Sequence, residues 1–386
     1  MIGVAVIGTG AIARSHVEAY KSFPERCEVR VLCDLYPEKG ERLAGELSIS
    51  PQILKDYQEV LSRSDVDLVS ICIPPSLHAE VSIAASSAGK HVLVEKPMAS
   101  SLKECDAMIS AAEGTARLLS VVAQNRFKTP MNRLKALLDS GAAGRVLHTT
   151  VNSLWWRGQS YYDLWWRGTW EKEGGGCTLN HAVHHVDLLL WMLGMPKELS
   201  SVFANLNHVN SETEDFSTSI LKYDDGSIAQ LTASLVHHGE EQQMIYQTER
   251  ARLSIPWGVS ASVEMENGFP KPCSETEEEL QRLYEAHPPL KHEGHTGQVE
   301  DLLSAIENGR RPFIDGEAGR RTLELIIGIY KSAATGETVS FPLSEKDPMY
   351  AKETMIARMP RFHEKKKSID NFSKPLDITL GRDVGK

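Results

Sequence analysis

Apolar and polar positions follow two periods in the first third of the chain. Short apolar runs read as strands at 2–7, 29–33, 68–73, 91–94 and 118–122. Between them, helical patterns fall near 12–22, 37–47, 56–62, 77–88 and 102–113. Strands separated by helix-length segments predict right-handed βαβ units and a parallel, doubly wound sheet. The pattern changes after Gln124-Asn125-Arg126-Phe127. One helix over 130–140 stops at Gly141-Ala142-Ala143-Gly144, and alternating strands then dominate: 145–154, 199–208, 215–223, 227–237, 243–249 and 251–256. Asp224-Asp225-Gly226-Ser227 is a hairpin turn signal. A helix is inserted at 181–193, and late helices fall at about 296–308 and 317–334. The expected chain is therefore α/β. Residues 1–123 form the doubly wound unit, and 124–345 form an α+β unit with a large, mainly antiparallel sheet. Residues 346–386 are polar and read as an extended C-terminal tail, either disordered or wrapped on a neighbouring subunit.

Composition narrows the function. At 386 residues, two domains are the natural expectation. A net charge of −10 argues against a general nucleic-acid role, and Lys365-Lys366-Lys367 reads as a solvated tail. The first strand begins at Ile2, which leaves no room for a signal peptide. Val186 to Met195, the most apolar helical stretch, is too short to span a bilayer and contains Asp187. Six cysteines include no C-x-x-C pair, as expected of reduced thiols in a cytoplasmic enzyme.

The first strand ends in Gly8-Thr9-Gly10-Ala11-Ile12-Ala13, a G-x-G-x-x-A turn opening a helix. Gly8 permits the tight turn and Gly10 a close approach of the backbone to a pyrophosphate. Ala13 lets helix and strand pack closely, and the helix N-terminus offers unpaired N–H groups to the anion. The second strand ends at Asp34, a little over twenty residues on, where a carboxylate grips a ribose 2′-OH. Leu35, Tyr36 and Pro37 follow with no adjacent Arg, which favours NAD over NADP, although Lys39 and Arg42 are near. Pro74-Pro75 ends the strand at 68–73, and His78 follows as a cofactor neighbour or as a capping or packing residue.

Two clusters could carry chemistry. Glu95-Lys96-Pro97 follows a strand at the cofactor edge of the sheet. Lys96 can hydrogen-bond a substrate hydroxyl, Pro97 aims it, and Glu95 can orient the ammonium. The second cluster runs from Gly174-Gly175-Gly176 through Cys177, Asn180, His181, His184 and His185 to Asp187. At helical spacing Asn180 and His184 share a face, as do His181 and His185. A histidine near neutral pKa is a natural acceptor of an alcohol proton. A metal on His181 and His185 is the rival, with Cys177, His237, His238 or Asp187 as third ligand, and a satisfied core histidine is the plainer alternative.

Between the clusters, Leu154-Trp155-Trp156-Arg157-Gly158 recurs as Leu164-Trp165-Trp166-Arg167-Gly168. Five of seven tryptophans, Trp170 among them, lie within sixteen residues, with Tyr161-Tyr162. Indole faces stack on a pyranose or an aglycone, and arginines offer forked donors. A packing or subunit contact accounts for the cluster equally well. Trp156, Arg157 and Trp166 are the candidate substrate contacts here. Gln124, Asn125 and Arg126 open the second domain as plausible cofactor or substrate contacts.

With these residues the chain resembles the Gfo/Idh/MocA family, relatives of glucose–fructose oxidoreductase and inositol dehydrogenase. The resemblance rests on the glycine turn, Glu95-Lys96-Pro97, the stretch from Gly174 to Asp187, Gly309-Arg310-Arg311-Pro312 and Ser332-Ala333-Ala334-Thr335-Gly336. It implies a Rossmann domain joined to an open-faced sheet domain, a nicotinamide between them, and assembly through the large sheet as a dimer, tetramer or hexamer. Cofactor contacts are then expected at Gly8, Gly10, Ala11, Ile12, Asp34, Pro74, His78, Glu95, Lys96 and Gln124. Lys96 takes the place of the family's catalytic lysine and His184 that of its histidine. Many family sugar dehydrogenases carry Asp where this chain has Asn180; an amide positions a hydroxyl but exchanges no proton.

The expected activity is NAD-dependent oxidation of a ring secondary alcohol of a sugar, glycoside or cyclitol, with C3 of a glucoside as the specific choice. His184 takes the hydroxyl proton, Lys96 steadies the oxygen, and Asn180 with His181 or His185 orients the ring. Two alternatives keep the site: a glycosidase working by transient oxidation and elimination, and an oxidoreductase recycling its NAD internally against a second sugar. A non-catalytic NAD or sugar sensor is the third.

Overall fold

The computed structural model describes residues 1–370. Residues 371–386, the last part of the expected tail, lie outside the described residues.

The N-terminal sheet contains β1 (Ile2–Ile7), β2 (Cys27–Cys33), β3 (Gln52–Leu54), β4 (Leu68–Ile71), β5 (His91–Val94) and β6 (Leu119–Val121). Its order is β3-β2-β1-β4-β5-β6 and every pairing is parallel. The connecting helices are α1 (Ala13–Lys21), α2 (Pro37–Leu47), α3 (Tyr57–Leu61), α4 (His78–Ser87) and α5 (Leu102–Gly114). Val4 to Ile7 and all of β4 are buried, as a sheet covered on both faces requires. The strand order reverses between β1 and β4, so the carboxyl ends of these strands border a crevice. Sequence patterning missed β3, whose three residues are too few to show a period.

After α6 (Thr129–Asp139), a second sheet forms from β7 (Val146–Trp156), β8 (Glu198–Ala204), β9 (Phe216–Lys222), β10 (Ile228–Ser234), β11 (Val236–Thr248), β12 (Arg252–Ile255), β13 (Gly258–Ser260) and a late strand, β16 (Val339–Ser340). A separate hairpin joins β14 (Ser262–Glu264) to β15 (Pro270–Pro272). The order is β13-β12-β11-β7-β10-β9-β8-β16, antiparallel except for β7 with β10. The helices are α7 (Cys177–Asn180), α8 (Val183–Leu193), α9 (Ser274–Ala286), α10 (Gly294–Asn308), α11 (Gly316–Thr335) and α12 (Lys352–Ile356). Helices α8 and α11 cover one face of the sheet, over Leu199, Leu221, Leu231 and Val151. On the other face Ser200, Ile220, Gln230, Thr150 and Ile245 form one cross-strand row, with Ile220 exposed and Ile245 half-buried.

The late helices return to the first sheet. Val299, Leu302 and Leu303 of α10 join Val4, Val6 and Leu32 in one core. Gln298 accepts from Ala123 N and donates to the Val121 carbonyl. Ser120 Oγ donates to the Ile314 carbonyl just before α11.

Residues 346–370 lie on their own chain. Met349, Met355 and Met359 are buried in its main core. The backbone N–H groups of Lys366 and Lys367 donate to Asn210 Oδ1, and Ile369 N to Asp163 O. Lys365 Nζ donates to the Tyr162 carbonyl and Lys367 Nζ to Asp163 Oδ2. These two ammoniums reach the loop after β7, while Lys366 and Lys367 stay exposed as the solvated reading expects.

Candidate active site

The cofactor end of the site begins at the turn after β1. Gly8 has φ +90°, and a Cβ there would lie 2.4 Å from the Cys72 carbonyl oxygen. A Cβ on Gly10 would meet nothing within 4 Å, so the space before α1 is open. Ala11 and Ile12 complete the turn, and α1 starts without a side-chain cap, Ala13 N and Ser15 N bonding back to the carbonyls of Gly10 and Ile12. Asp34 is fixed at the end of β2: Oδ2 accepts from Thr9 N at 2.8 Å and Thr9 Oγ1 at 2.9 Å, and Oδ1 from Tyr36 N at 3.0 Å. A held carboxylate with lone pairs to spare suits two ribose hydroxyls and repels a 2′-phosphate. The open cradle and this carboxylate fit NAD.

Pro74 closes β4 before a short turn of 3-10 helix, Pro75–Leu77. His78 differs from the expected cofactor contact. It is fully buried, with Nδ1 2.8 Å from the Pro97 carbonyl and Nε2 2.8 Å from that of Ile73. With both nitrogens on backbone oxygens, it ties the end of β4 to the turn bearing Lys96.

Glu95 lies in a buried polar knot. Its Oε1 is 2.9 Å from His16 Nε2 and 3.9 Å from His295 Nε2, and these atoms converge within 4.8 Å. His16 Nδ1 in turn lies 3.2 Å from Ser70 Oγ. Burial alone would raise the Glu95 pKa, but the two imidazoles hold it well below the usual carboxylate range. Its Oε2 accepts from the Lys96 backbone N–H at 3.2 Å. The Lys96–Pro97 peptide is cis. Lys96 Nζ donates to the Asn180 carbonyl at 3.2 Å, and burial lowers its pKa.

Lys96 and His184 line one cavity, together with Pro97, Val122, Ala123 and Asp187. Burial and the Lys96 charge push the His184 pKa well down, so its imidazole is neutral at neutral pH. The glycines before it answer to packing. A Cβ on Gly175 would lie 2.2 Å from Tyr330 Oη, and one on Gly176 would lie 1.8 Å from the Glu214 carbonyl oxygen. Glu214 accepts from Gly176 N, Thr178 N and Tyr330 Oη, each at 3.0 Å, and burial raises its pKa to about 7. Asn180 Nδ2 donates to the carbonyls of Gly175 at 3.0 Å and Gly176 at 3.3 Å. An amide can make those bonds and a carboxylate cannot.

His181 faces Tyr161, with Nε2 3.4 Å from its hydroxyl, and its pKa is held well down by burial and by Arg157, Arg167 and Lys96. His185 is not with them. One residue past His184, it turns about 100° around the helix into the core, fully buried with neither nitrogen partnered among the described residues, and its pKa falls to about 3. The proposed ligand set for a metal does not converge: His237 bonds Ser234 Oγ at 2.7 Å and His238 stacks on Trp156.

Arg126 also departs from expectation. Its Nε and Nη2 donate to Asp187 at 2.9 and 2.7 Å in a buried bidentate pair. That guanidinium braces the start of the second domain to α8 and is engaged before any ligand arrives. Asn125 Oδ1 and Gln124 Oε1 are buried without a partner among the described residues.

The tryptophan repeat divides. Trp155 and Trp170 are buried, with Trp170 Nε1 donating to the Pro360 carbonyl, so they pack. Trp156 is 44% exposed and stacks on His238 at 5.4 Å. Trp166 is half-buried, with the Arg167 guanidinium 4.1 Å from its ring centroid. Arg157 donates to Glu240 Oε1 at 2.7 Å. Sequence reasoning missed Glu173 and His295. Glu173 was signalled only by its place before the glycines; His295 carried no pattern.

Residues 2–123 match the sequence model of an oxidoreductase family with an NAD-binding Rossmann fold, and 131–254 match the GFO/IDH/MocA C-terminal domain. The chain is similar to 2,7-anhydro-N-acetylneuraminate hydratase of Mediterraneibacter gnavus, 26% identical over 66% of this chain and 67% of that protein. It is similar to D-glucoside 3-dehydrogenase of Escherichia coli, 23% identical over 87% and 96% of the two chains. The WlbA dehydrogenase of Bordetella pertussis, solved with NADH and UDP-GlcNAcA, aligns with a TM-score of 0.76 at 27% identity, over 89% of this chain and 99% of that one.

Proposed function

The chain belongs to the GFO/IDH/MocA oxidoreductase family, and we propose that it is an NAD-dependent dehydrogenase acting on a ring secondary alcohol of a sugar, glycoside or cyclitol. The observation that carries this reading is the meeting of Lys96 and a neutral His184 in one cavity beside the nucleotide crevice. When bound, NAD supplies the two-electron acceptor for the carbinol hydrogen. His184 takes the hydroxyl proton, its imidazole being in the neutral form that can accept one. Lys96 Nζ, held on the Asn180 carbonyl, donates to the same oxygen and steadies the developing alkoxide. His16 and His295 keep Glu95 ionised, and Glu95 fixes the Lys96 backbone. Asn180 Oδ1 is left to accept from a neighbouring hydroxyl. Similarity to a D-glucoside 3-dehydrogenase supports C3 of a glucoside as the oxidised carbon.

Lys96→Met is expected to lower kcat by about 10³-fold while NAD affinity stays unchanged. Full turnover in that variant, followed by NADH absorbance, overturns the assignment.

Similarity to a hydratase favours a second reading of the same site. Transient oxidation at the ring carbon acidifies its neighbouring C–H. Loss of that proton would expel the oxygen substituent on the next carbon, water would add, and bound cofactor would supply the two electrons that restore the alcohol. NAD that co-purifies, with bond cleavage and no net NADH, selects this reading.

The open face of the large sheet supports a homo-oligomer assembled across it. Among the described residues no helix is long and apolar enough to cross a membrane. Six unpaired cysteines, five of them buried, fit a reducing compartment such as the cytoplasm.

A further inference from the structure

Several buried or half-buried guanidiniums present the Nε/Nη2 edge to a carboxylate of the chain. Arg126 does so with Asp187, Arg26 with Glu307 and Arg63 with Asp65. Arg157 and Arg167 do not. Arg157 uses only Nη1, donating to the Trp156 carbonyl at 2.6 Å and to Glu240 at 2.7 Å. Arg167 likewise uses only Nη1, donating to Tyr161 Oη and to Glu173 Oε1, the latter at 3.0 Å. Among the described residues nothing accepts from Nε or Nη2 of either side chain.

Both side chains are held rigidly, and both keep some access to solvent. The Arg167 guanidinium lies over the Tyr161 and Trp166 rings, 4.0 and 4.1 Å from their centroids. Arg157 lies over Trp155 and Tyr161 at 5.4 and 5.9 Å. Their side chains are 22% and 20% exposed, Arg157 first. Both flank Tyr161, whose hydroxyl is 3.4 Å from His181, the residue after the Asn180 carbonyl that holds Lys96. The tail reinforces the loop through the Lys365 and Lys367 contacts at Tyr162 and Asp163.

A planar fork with fixed rings on its faces and two unengaged donors on one edge is built for a planar, bidentate anion. We propose that Arg157 and Arg167 form a carboxylate receptor beside the catalytic cavity, so that the substrate is an acidic sugar rather than a neutral one. Glu173 supports this: burial raises its pKa to about 7, so its charge only partly offsets Arg167 at neutral pH. The proposal rests on the dehydrogenase reading for its catalytic consequence, but the receptor itself is testable by binding alone.

The experiment is calorimetric titration of the NAD-loaded protein with matched pairs: methyl glucuronide against methyl glucoside, and methyl galacturonide against methyl galactoside. Methyl glucoside 6-phosphate is the rival anion. At least one uronide is expected to bind about 10-fold or more tightly than its neutral partner. The preference is expected to fall to within about 3-fold in Arg167→Gln and in Arg157→Gln, and to recover only partly in Arg167→Lys, which restores charge without the fork. Equal binding within both pairs, a preference that survives both glutamine variants, or tighter binding of the phosphate overturns the receptor. Turnover is read separately: a uronide that binds by these arginines but yields neither NADH nor cleavage overturns the dehydrogenase reading and leaves the receptor standing.

Discussion

Asn180 and His185 show how hydrogen-bond partners set what a side chain can do. With Nδ2 bonded to two carbonyls, Asn180 can only be an amide in this setting. Asn180→Asp sets a carboxylate against those oxygens and is expected to cost about 1–3 kcal/mol, read from urea midpoints. His185 has a depressed pKa, so the stability it contributes is present above the unfolded value of 6.5 and is lost as pH falls from there toward about 3. His185→Leu removes that loss. The variant is expected to gain about 2 kcal/mol over the wild type on moving from pH 7 to pH 5; parallel pH profiles contradict it. At this scale the sequence was readable in kind more than in role. Lys96 and His184 could be placed because a strand end and a helical spacing put them at the crevice. Arg126 and His185 could not be, because the partner or vacancy that decides their role is contributed by Asp187 and the core, outside any local pattern.

The glycine turn separates two functions in one element. Gly8 has a positive φ and backbone against its Cβ position, whereas Gly10 faces open space. Gly8→Ala is expected to destabilise by more than about 2 kcal/mol. Gly10→Ala is expected to leave the melting temperature unchanged and to weaken NAD binding at least about 10-fold, through the methyl group placed where the pyrophosphate must come. Calorimetry on both variants checks the split; loss of fold in Gly10→Ala contradicts it. The long periodic elements were legible, as β1, α2, α8 and α11 illustrate. β3 was not, being three residues long. α9 was not either: its first turns are mainly glutamate, and only Leu280 and Tyr284 are buried.

For the molecule as a whole, the sheet explains both a site and a surface. One face is sealed by α8 and α11; the other exposes Val202, Ile220 and Ile228 among polar neighbours. Replacing Val202 and Ile220 together by Lys is expected to dissociate the proposed oligomer in sedimentation experiments without loss of folding, and an unchanged mass contradicts assembly through this face. The two-part architecture was legible from the switch of hydrophobic period after Gln124. The return of α10 to the first core was not, since no local signal says which core an amphipathic helix joins. Nor was the docking of residues 346–370 on their own chain, which rests on three spaced methionines and on backbone bonds to Asn210.

The account stands on one chemical event, oxidation of a ring alcohol by NAD with Lys96 and His184 at the oxygen. The most direct measurement follows NADH absorbance and sugar NMR together, on wild-type protein and Lys96→Met, with NAD and a panel of glucosides, uronides and inositols. The predicted result is a ketosugar formed in step with NADH by the wild type and lost in the variant. Equal ketosugar and NADH from both proteins, or bound sugar with neither product nor cleavage in the wild type, would contradict it.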